Sequence, residues 1–535
     1  MNGRARAQRE GASMYLSLRH CVSCIALAAL AACGRAPSAD RAGTGVDDAP
    51  SSEEPDGTTS DPSHDQAAPS HQDPDPNTDA SVGPDGDAPT DAGKPAVRRA
   101  RPILDGTITG AIHGKNPPFA IKHIDLAQVG YVEEEFTLAG QATAYKADGE
   151  QGLDGKWKAV PDTQAAYKTR LLVRRPAAIE DFNGSVMVEW LNTTGGLDAE
   201  IGFGLTSEEL LRGGYAWVGV SVQQSGVDAL KSTDSERYAE LKHPGDTYCY
   251  SIYAQAGAAI GWPGDVDAMG GFPVERLIAY GESQSAMRMI THVNAVQPLT
   301  HVFDGVVIHS RAGWGAPIGS EGNGLLGNGM PVRVRTDSDA RVLQFFTESE
   351  IFLSLGPAYA ARQPDSERLR SWEIAGSAHA DQHMLGDDAN VGCGPAGLVN
   401  DGPQHFVLKA ALRAMHHWLK DDIGPPHGDP LQVDAEGTAI VRNADGNALG
   451  GIRTPAVDVP IATLTGEASP LSPQCLLFGQ TIPFTPEHLL ALYPTHKSYV
   501  DQVVAAAKGA RAAGFLLPEE EATIVAEAQA AAVPK

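Results

Sequence analysis

The sequence predicts an α/β fold with a mostly parallel central sheet and helices on both faces. Beyond residue 100, short apolar runs recur and are separated by stretches of helical periodicity. This alternation is typical of buried parallel strands joined by helical crossovers. The 535 residues are 42% hydrophobic and 20% charged, a composition that supports a large core. One serine-containing turn also joins an apolar run directly to a helical stretch.

The predicted elements follow in chain order. Strands are expected at residues 136–138, 142–145, 167–173, 185–191, 216–220, 276–280, 303–308, 341–346 and 371–375. Helices are expected at residues 248–261, 284–295 and 404–420. Beyond residue 431, Thr485-Pro486-Glu487 and Pro518-Glu519-Glu520 place proline and acids where a first helical turn favours them. We therefore expect a C-terminal helical extension on the sheet domain.

The first 33 residues resemble an export signal. A short basic start at residues 14–20 precedes an apolar run that is shorter than a membrane-spanning helix requires. The run ends in Leu30-Ala31-Ala32-Cys33, which resembles the bacterial lipobox. We expect residues 1–33 to be a lipoprotein signal peptide and Cys33 to carry the lipid that anchors the protein to a membrane of the cell envelope. The alternative is a plain secretory peptide cut near the same alanines.

Residues 34–100 form a predicted disordered linker. Asp, Ser, Pro, Gly, Thr and Ala dominate this stretch, which holds too little apolar surface to fold. A flexible tether of this length reaches roughly 40 to 50 Å, enough to hold a domain at residues 101–535 away from a membrane. Much of the formal net charge of -26 lies in this tether. The net negative charge argues against a nucleic-acid partner.

Three cysteines remain beyond the signal and the lipid site. They are Cys249, Cys393 and Cys475, so at most one disulfide can form. Since an exported protein meets an oxidising compartment, we expect Cys393 to pair with Cys475. The alternative is that all three are buried thiols that pack as small apolar residues.

The serine-containing turn predicts a nucleophile elbow. Tyr280-Gly281-Glu282-Ser283-Gln284-Ser285 lies between the apolar run 276–279 and a helical stretch. A glycine two positions before Ser283 lets strand and helix approach closely, and the sharp turn exposes the hydroxyl. The motif departs from G-x-S-x-G at its last position, where Ser285 is the small residue. The alternative is an ordinary turn with a surface serine.

A nucleophilic serine requires a histidine base and a carboxylate that orients it. His379 lies in the loop after the last predicted strand, among small residues. Two glutamates, Glu348 and Glu350, follow the strand that ends at Phe346, at the sheet edge where open α/β folds place their sites. We expect Glu350 to be the acid, because it lies further into the loop and has room to reach the histidine; Glu348 is the alternative.

The histidine segment also permits a metal-site interpretation. His379-x-Asp381-x-His383 places three possible ligands close together. No second cluster of ligands accompanies them, and ligands this close leave little freedom for a coordination geometry. We therefore expect neither a metal nor a cofactor.

Backbone donors are needed for the oxyanion of an acyl-transfer intermediate. The N–H of Gln284, at the start of its helix, is one predicted donor. The second is expected from the polar, glycine-rich loop Asn192-Thr193-Thr194-Gly195-Gly196, which follows the strand ending at Leu191. Asn192, Thr193 and Thr194 all remain candidates, and a simple turn is the alternative.

The motifs of this chain resemble those of the bacterial and fungal group called alpha/beta hydrolase domain-containing proteins. The resemblance covers nearly the whole of residues 101–535 and rests on these motifs: Val188-Glu189-Trp190-Leu191-Asn192, His243-Pro244-Gly245-Asp246, Tyr280-Gly281-Glu282-Ser283-Gln284-Ser285, Thr347-Glu348-Ser349-Glu350, Ala375-Gly376-Ser377-Ala378-His379-Ala380-Asp381 and Asn400-Asp401-Gly402-Pro403-Gln404-His405. It implies an α/β-hydrolase fold in which Ser283, His379 and a loop acid match the triad. In the group that loop often ends in aspartate, where this chain has Glu350. The group has no single substrate.

These observations predict an exported serine hydrolase that cleaves a small carboxylic ester through an acyl-enzyme. The same residues would also serve an acyltransferase, a lactonase or an amidase. A non-catalytic lipoprotein that binds a ligand in the pocket is the alternative from another class. The sequence leaves the natural substrate and the oligomeric state open.

Overall fold

The structure is a computed structural model that describes residues 102, 104–320, 327, 329–353, 356–386, 398–467 and 476–534. The predicted lipid site Cys33, the linker and the predicted pair Cys393 and Cys475 lie outside these residues. Cys249 is fully buried. No helix in the described ranges combines the length and the apolar character that crossing a membrane requires.

A nine-stranded sheet forms the centre of the domain. Its order is β1-β2-β3-β5-β4-β6-β7-β8-β9. The strands are β1 Thr107–Ala111, β2 Tyr131–Ala147, β3 Ala159–Pro176, β4 Ser185–Trp190, β5 Ala216–Val220, β6 Arg276–Glu282, β7 Gly305–His309, β8 Arg341–Phe346 and β9 Leu369–Glu373. Strands β4 to β9 run parallel, whereas β1, β2 and β3 pair antiparallel. The sheet is therefore mostly parallel, as predicted.

The edge hairpin differs from its prediction. The separate pieces expected at 136–138 and 142–145 belong to one long strand, β2, which pairs antiparallel with β3. Its residues alternate between buried positions such as Leu138 and exposed ones such as Gln141 over part of its length. Because polar residues interrupt the apolar run wherever one face meets solvent, the sequence showed only fragments of the strand.

Helices cover both faces of the sheet. They are α1 Ile201–Arg212, α2 Gln224–Thr233, α3 Cys249–Gly261, α4 Gln284–Thr291, α5 Gln297–Thr300, α6 Glu348–Ile351, α7 Gln382–Leu385, α8 Gln404–Asp421, α9 Pro455–Asp458, α10 Pro486–Leu492, α11 His496–Ala512 and α12 Pro518–Ala530. A π-helical turn, His292–Val296, joins α4 to α5, and short 3-10 segments lie at Leu126–Val129, Ile179–Asp181, Asp246–Tyr248 and Ala358–Ala361. Helices α3 and α4 pack on one face, and α1 and α8 pack on the other.

The C-terminal extension has a small core of its own. Strands β10 Ala462–Thr465 and β11 Gln480–Pro483 form an antiparallel pair, and helices α10 to α12 follow. Leu489, Tyr493 and Val503 share a buried cluster that is separate from the two cores of the main sheet. Glu520 of α12 pairs with Arg212 of α1 at 2.8 Å and ties the extension to the main domain.

Candidate active site

Ser283 occupies the sharp corner between β6 and α4. Its backbone has a φ of 56° and a ψ of −119°, a conformation that costs a non-glycine residue about 1–3 kcal/mol. Its N–H donates to the carbonyl oxygen of His309 on β7 at 3.0 Å. A Cβ on Gly281 would lie 2.7 Å from the backbone oxygen of Ser285, so the close approach of strand and helix requires glycine there. The predicted strand-turn-helix geometry is present.

The last position of the motif accommodates serine because the site is polar. Ser285 is fully buried, and its Oγ accepts a hydrogen bond from Nε2 of Gln284 at 3.0 Å. The same Gln284 amide donates to Oε1 of Gln223 at 2.7 Å. The hydroxyl that replaces the usual glycine is therefore satisfied inside the protein.

His379 joins Ser283 to Glu350. Nε2 of His379 lies 2.8 Å from Oγ of Ser283, and Nδ1 lies 2.7 Å from Oε1 of Glu350. With Nδ1–H donating to the carboxylate, Nε2 is the acceptor for the serine proton. The backbone N–H of His379 donates to Oγ of Ser349 at 3.1 Å, and Nε2 of Gln404 donates to the backbone oxygen of Ala378 at 2.5 Å. The histidine loop is thus anchored on both sides of the ring.

The two predicted acids have different partners. Oε2 of Glu350 accepts hydrogen bonds from the backbone N–H of Thr347 at 2.6 Å and from its hydroxyl at 2.8 Å, a capping box at the start of α6. Glu348 instead pairs with Arg442 at 2.8 Å and accepts a hydrogen bond from the N–H of Gly376 at 2.6 Å. The structure therefore brings Glu350 to the histidine and directs the alternative, Glu348, towards the C-terminal part of the chain.

The surroundings of His379 favour its protonated form. Burial lowers its pKa, but the hydrogen bond and negative charge of Glu350 outweigh this, and the charge of Glu282 adds to them. The net effect raises the pKa of His379 above its ordinary value. An imidazole that holds a proton more tightly is a stronger base towards a serine hydroxyl.

Glu282 is a site residue that sequence reasoning missed. Its Oε1 lies 3.4 Å from Nε2 of His379, the same nitrogen that faces Ser283. Its Oε2 accepts a hydrogen bond from Nδ2 of Asn192 at 2.8 Å. Burial raises the pKa of Glu282 to about 7, against the opposing effects of His379 and Asn192. The sequence did contain a signal for this residue, because Glu282 is a charged residue at the end of an otherwise apolar strand.

The predicted oxyanion loop is held tightly. The N–H of Asn192 donates to the carbonyl oxygen of Ala199 at 2.9 Å, and the N–H of Thr194 donates to Oδ1 of Asn192 at 2.9 Å. Because both N–H groups already donate to acceptors within the protein, neither is a good candidate to donate to a substrate oxyanion. Thr193 is buried between them and is the third candidate. Gln284 is the first residue of α4, where the helix dipole favours negative charge.

The three side chains of the metal-site alternative have separate partners. His379 binds Ser283 and Glu350, whereas Oδ1 of Asp381 accepts a hydrogen bond from the N–H of Met384 at 2.9 Å and caps α7. The ring of His383 stacks on His405 with a centroid separation of 3.8 Å. Within the described ranges, no three His, Cys, Asp or Glu side chains are grouped as metal ligands.

A family model described as "alpha/beta hydrolase domain" matches residues 99–526. The chain belongs to the alpha/beta hydrolase family. The match spans the sheet, the candidate site and most of the C-terminal helices, and together with the strand order it confirms the predicted fold. Among curated proteins, no sequence matches this alpha/beta hydrolase.

Several solved esterases resemble this alpha/beta hydrolase at low sequence identity. A fungal esterase from Rhizomucor miehei aligns with 58% of this chain and 94% of its own, at 12% identity and a TM-score of 0.30. A glucuronoyl esterase from Solibacter usitatus aligns with 52% of this chain and 82% of its own, at 12% identity and a TM-score of 0.26. A thermostable esterase from Pseudomonas putida aligns with 58% and 86%, at 16% identity and a TM-score of 0.26. Similarity at this level carries no conclusion about the substrate.

Proposed function

We propose that this alpha/beta hydrolase cleaves carboxylic esters through an acyl-enzyme on Ser283. The observation that carries the proposal is the continuous relay from Ser283 Oγ to His379 Nε2 at 2.8 Å, and from His379 Nδ1 to Glu350 at 2.7 Å. Along the chain the nucleophile Ser283 is followed by the acid Glu350 and then by the base His379, which is the order that the fold uses. Proton transfer at these distances needs no rearrangement of the side chains.

In the proposed reaction, Oγ of Ser283 attacks the ester carbonyl carbon while His379 takes the hydroxyl proton at Nε2. The tetrahedral oxyanion is stabilised by the N–H of Gln284 and a donor from the loop at residues 192–194. Collapse breaks the bond to the alcohol, which receives the proton from His379. Water, deprotonated by His379, then attacks the acyl-enzyme carbonyl, and collapse of this second tetrahedral intermediate transfers the proton from His379 to Oγ of Ser283 and releases the acid. Glu350 orients the imidazole and stabilises the imidazolium throughout.

A catalytic role accounts for features that a binding role leaves unexplained. Ser283 combines a φ of 56° with a ψ of −119°, and residues held in such sparsely populated conformations cluster at active sites. A carboxylate, an imidazole and a hydroxyl in series are needed to move a proton and not to hold a ligand. Lactones, amides and a second alcohol as acyl acceptor use the same steps, so the assay should offer all of these beside simple esters.

A fluorophosphonate probe and p-nitrophenyl esters test this proposal on the wild type and on Ser283→Ala. We expect wild-type labelling and ester turnover, and in the variant no labelling and a loss in kcat of about 10⁴ to 10⁶. Ser310→Ala is the matched control, because Ser310 is also a buried serine with positive φ, 55°, at the end of the next strand. Its variant should keep both labelling and turnover. An unlabelled wild type, or labelling that survives in Ser283→Ala, would refute the triad.

We also propose that the protein is exported and anchored by lipid at Cys33, with residues 34–100 as the tether. The support is the apolar run ending in Leu30-Ala31-Ala32-Cys33 and the composition of the segment that follows. In the native host, Cys33→Ser should abolish incorporation of labelled fatty acid and move the protein out of the membrane fraction. Membrane partitioning that is unchanged in Cys33→Ser would contradict the anchor.

A further inference from the structure

A cavity lies between the histidine segment and the C-terminal extension. Its volume is about 670 Å³, within the size range of small-molecule sites. Its walls come from the starts of α7 and α8, from β10 and from helices α11 and α12. Neither Ser283, His379 nor Glu350 lines it. The cavity is therefore a separate chamber from the proposed ester site.

One part of this chamber is apolar. Its apolar lining includes Val459, Ile461 and Leu464, together with Val503 of α11 and Ile524 of α12. A short hydrocarbon chain inside would lose contact with water on most of its surface, and this burial favours binding.

Among the described residues, the charged side chains that line the chamber are two carboxylates on partly exposed residues, Asp401 and Glu527. Burial raises the pKa of Asp401, and burial together with the charge of Asp401 raises that of Glu527. In the described part of the chain, neither carboxylate forms an ion pair with a Lys, Arg or His side chain. A third carboxylate, Asp381, lies close enough to Asp401 to be affected by its charge, and its Oδ2 has no hydrogen-bond partner among the described residues.

The histidines of the chamber do not offset this negative charge. Burial lowers the pKa of His383 to about 4 and that of His405 to about 2, so both rings are neutral near pH 7. The charges of Lys122 and Lys409 also lower the pKa values of these rings, and Lys409 is itself paired with Glu208 and Glu520. Neither lysine is among the causes that shift the pKa values of Asp401 and Glu527, so the chamber combines apolar walls with two carboxylates that lack a nearby cationic partner among the described residues.

We propose that this chamber is a second binding site, for an organic ammonium ion that carries a short apolar chain. The ammonium would lie between Asp401 and Glu527 and relieve their mutual repulsion. The chain would pack against Val503 and Ile524. A metal ion is a poorer match, because no three His, Cys, Asp or Glu side chains of the described residues are grouped there as metal ligands.

The chamber also adjoins the segment that holds the catalytic histidine. Pro403 and His405 line it, and Gln404 between them donates a hydrogen bond to the backbone oxygen of Ala378, the residue before His379. The ligand would thus bind next to the loop that carries His379, on the side of residues 403–405. The binding test therefore uses Ser283→Ala beside the wild type, so that occupation of the chamber is measured independently of ester turnover.

Isothermal titration with hexylammonium, hexanol and hexanoate tests the proposal on the full chain. We expect saturable binding of hexylammonium to the wild type and equally to Ser283→Ala, weaker binding of hexanol, and none of hexanoate. The double variant Asp401→Asn/Glu527→Gln should weaken hexylammonium binding about tenfold, because each partly exposed ion pair contributes a few-fold in affinity.

The control is Asp429→Asn/Glu436→Gln, which removes the same charge from two exposed carboxylates outside the chamber. It should bind hexylammonium as the wild type does, and circular dichroism should show that both double variants are folded. Three results would overturn the proposal: no binding of hexylammonium, equal weakening in the control, or hexanol binding as tightly as hexylammonium. None of these bears on whether Ser283 is the nucleophile.

Discussion

Two turns at the carboxyl edge of the sheet differ in how their geometry is constrained. The serine turn, residues 280–285, joins β6 to α4, and the acid turn, residues 346–351, joins β8 to α6. In the serine turn the backbone is strained at Ser283 and a Cβ on Gly281 would overlap backbone atoms. The acid turn is an ordinary capping box, and its two glutamates, Glu348 and Glu350, bind different partners. The steric limit on the first turn comes from atoms within a few residues of Ser283, whereas the partners of the two glutamates in the second turn lie far along the chain.

The acid turn shows how tertiary contacts separate identical side chains. Glu350 reaches His379, 29 positions along the chain, and Glu348 reaches Arg442, 94 positions along the chain. Both carboxylates are buried, so each would destabilise the fold without its partner. The difference shows that burial alone does not identify a candidate triad acid, whereas its hydrogen-bond partner does.

The largest expected effect comes from exchanging each acid for its amide. Glu350→Gln should lower kcat about 10⁴-fold, because the amide neither holds the required tautomer nor stabilises the imidazolium. Glu348→Gln should leave kcat within about tenfold but lower the free energy of unfolding by about 2 kcal/mol, since it weakens the pair with Arg442. Steady-state kinetics and urea denaturation measure the two quantities. Equal losses of kcat would show that the two acids are not separated in function.

A smaller effect is expected from crowding the serine turn. Gly281→Ala adds a Cβ 2.7 Å from the backbone oxygen of Ser285, so strand and helix must move apart. We expect a fall in kcat of about 100-fold and a destabilisation of about 1–3 kcal/mol. Gly264→Ala is the control, because a Cβ there meets nothing within 4 Å. Full activity of Gly281→Ala would show that the turn tolerates a side chain and that the local constraint is weaker than we infer.

The smallest effect is expected at Glu282, which belongs to the serine turn and lies 3.4 Å from Nε2 of His379. Activity requires neutral His379, so kcat/KM should rise with pH through the pKa of His379, which lies above its usual value. Glu282, when ionised, raises the pKa of His379, so Glu282→Gln should move the acidic limb of the pH profile to lower pH. Turnover above the limb should fall about fivefold, as imidazolium loses one stabilising charge.

The pH profile of kcat/KM with a p-nitrophenyl ester measures this shift. Glu436→Gln removes the same charge from an exposed site and should leave the profile in place. A limb that moves to higher pH in Glu282→Gln, or does not move, would contradict an electrostatic effect of Glu282 on His379.

The helix α1 illustrates a structural element that the sequence did not predict. Its N-cap residue, Glu200, makes no side-chain cap. The carboxylate of Glu189 on β4 instead accepts hydrogen bonds from the N–H groups of Gly202 at 2.7 Å and Phe203 at 2.9 Å. A helix capped by a neighbouring strand carries no capping signal in its own sequence. The tertiary contact supplies what local residues lack.

The sequence by itself determined the features whose causes are local. The buried strands, the strand-turn-helix at Ser283 and the proline-led C-terminal helices follow from hydrophobic periodicity and from steric limits within a few residues. Only the tertiary structure decided that Glu350 and not Glu348 meets His379, and that Glu282 lies 3.4 Å from the same imidazole. The physical reason is that electrostatic and hydrogen-bond interactions depend on distance in space, which separation along the chain does not specify.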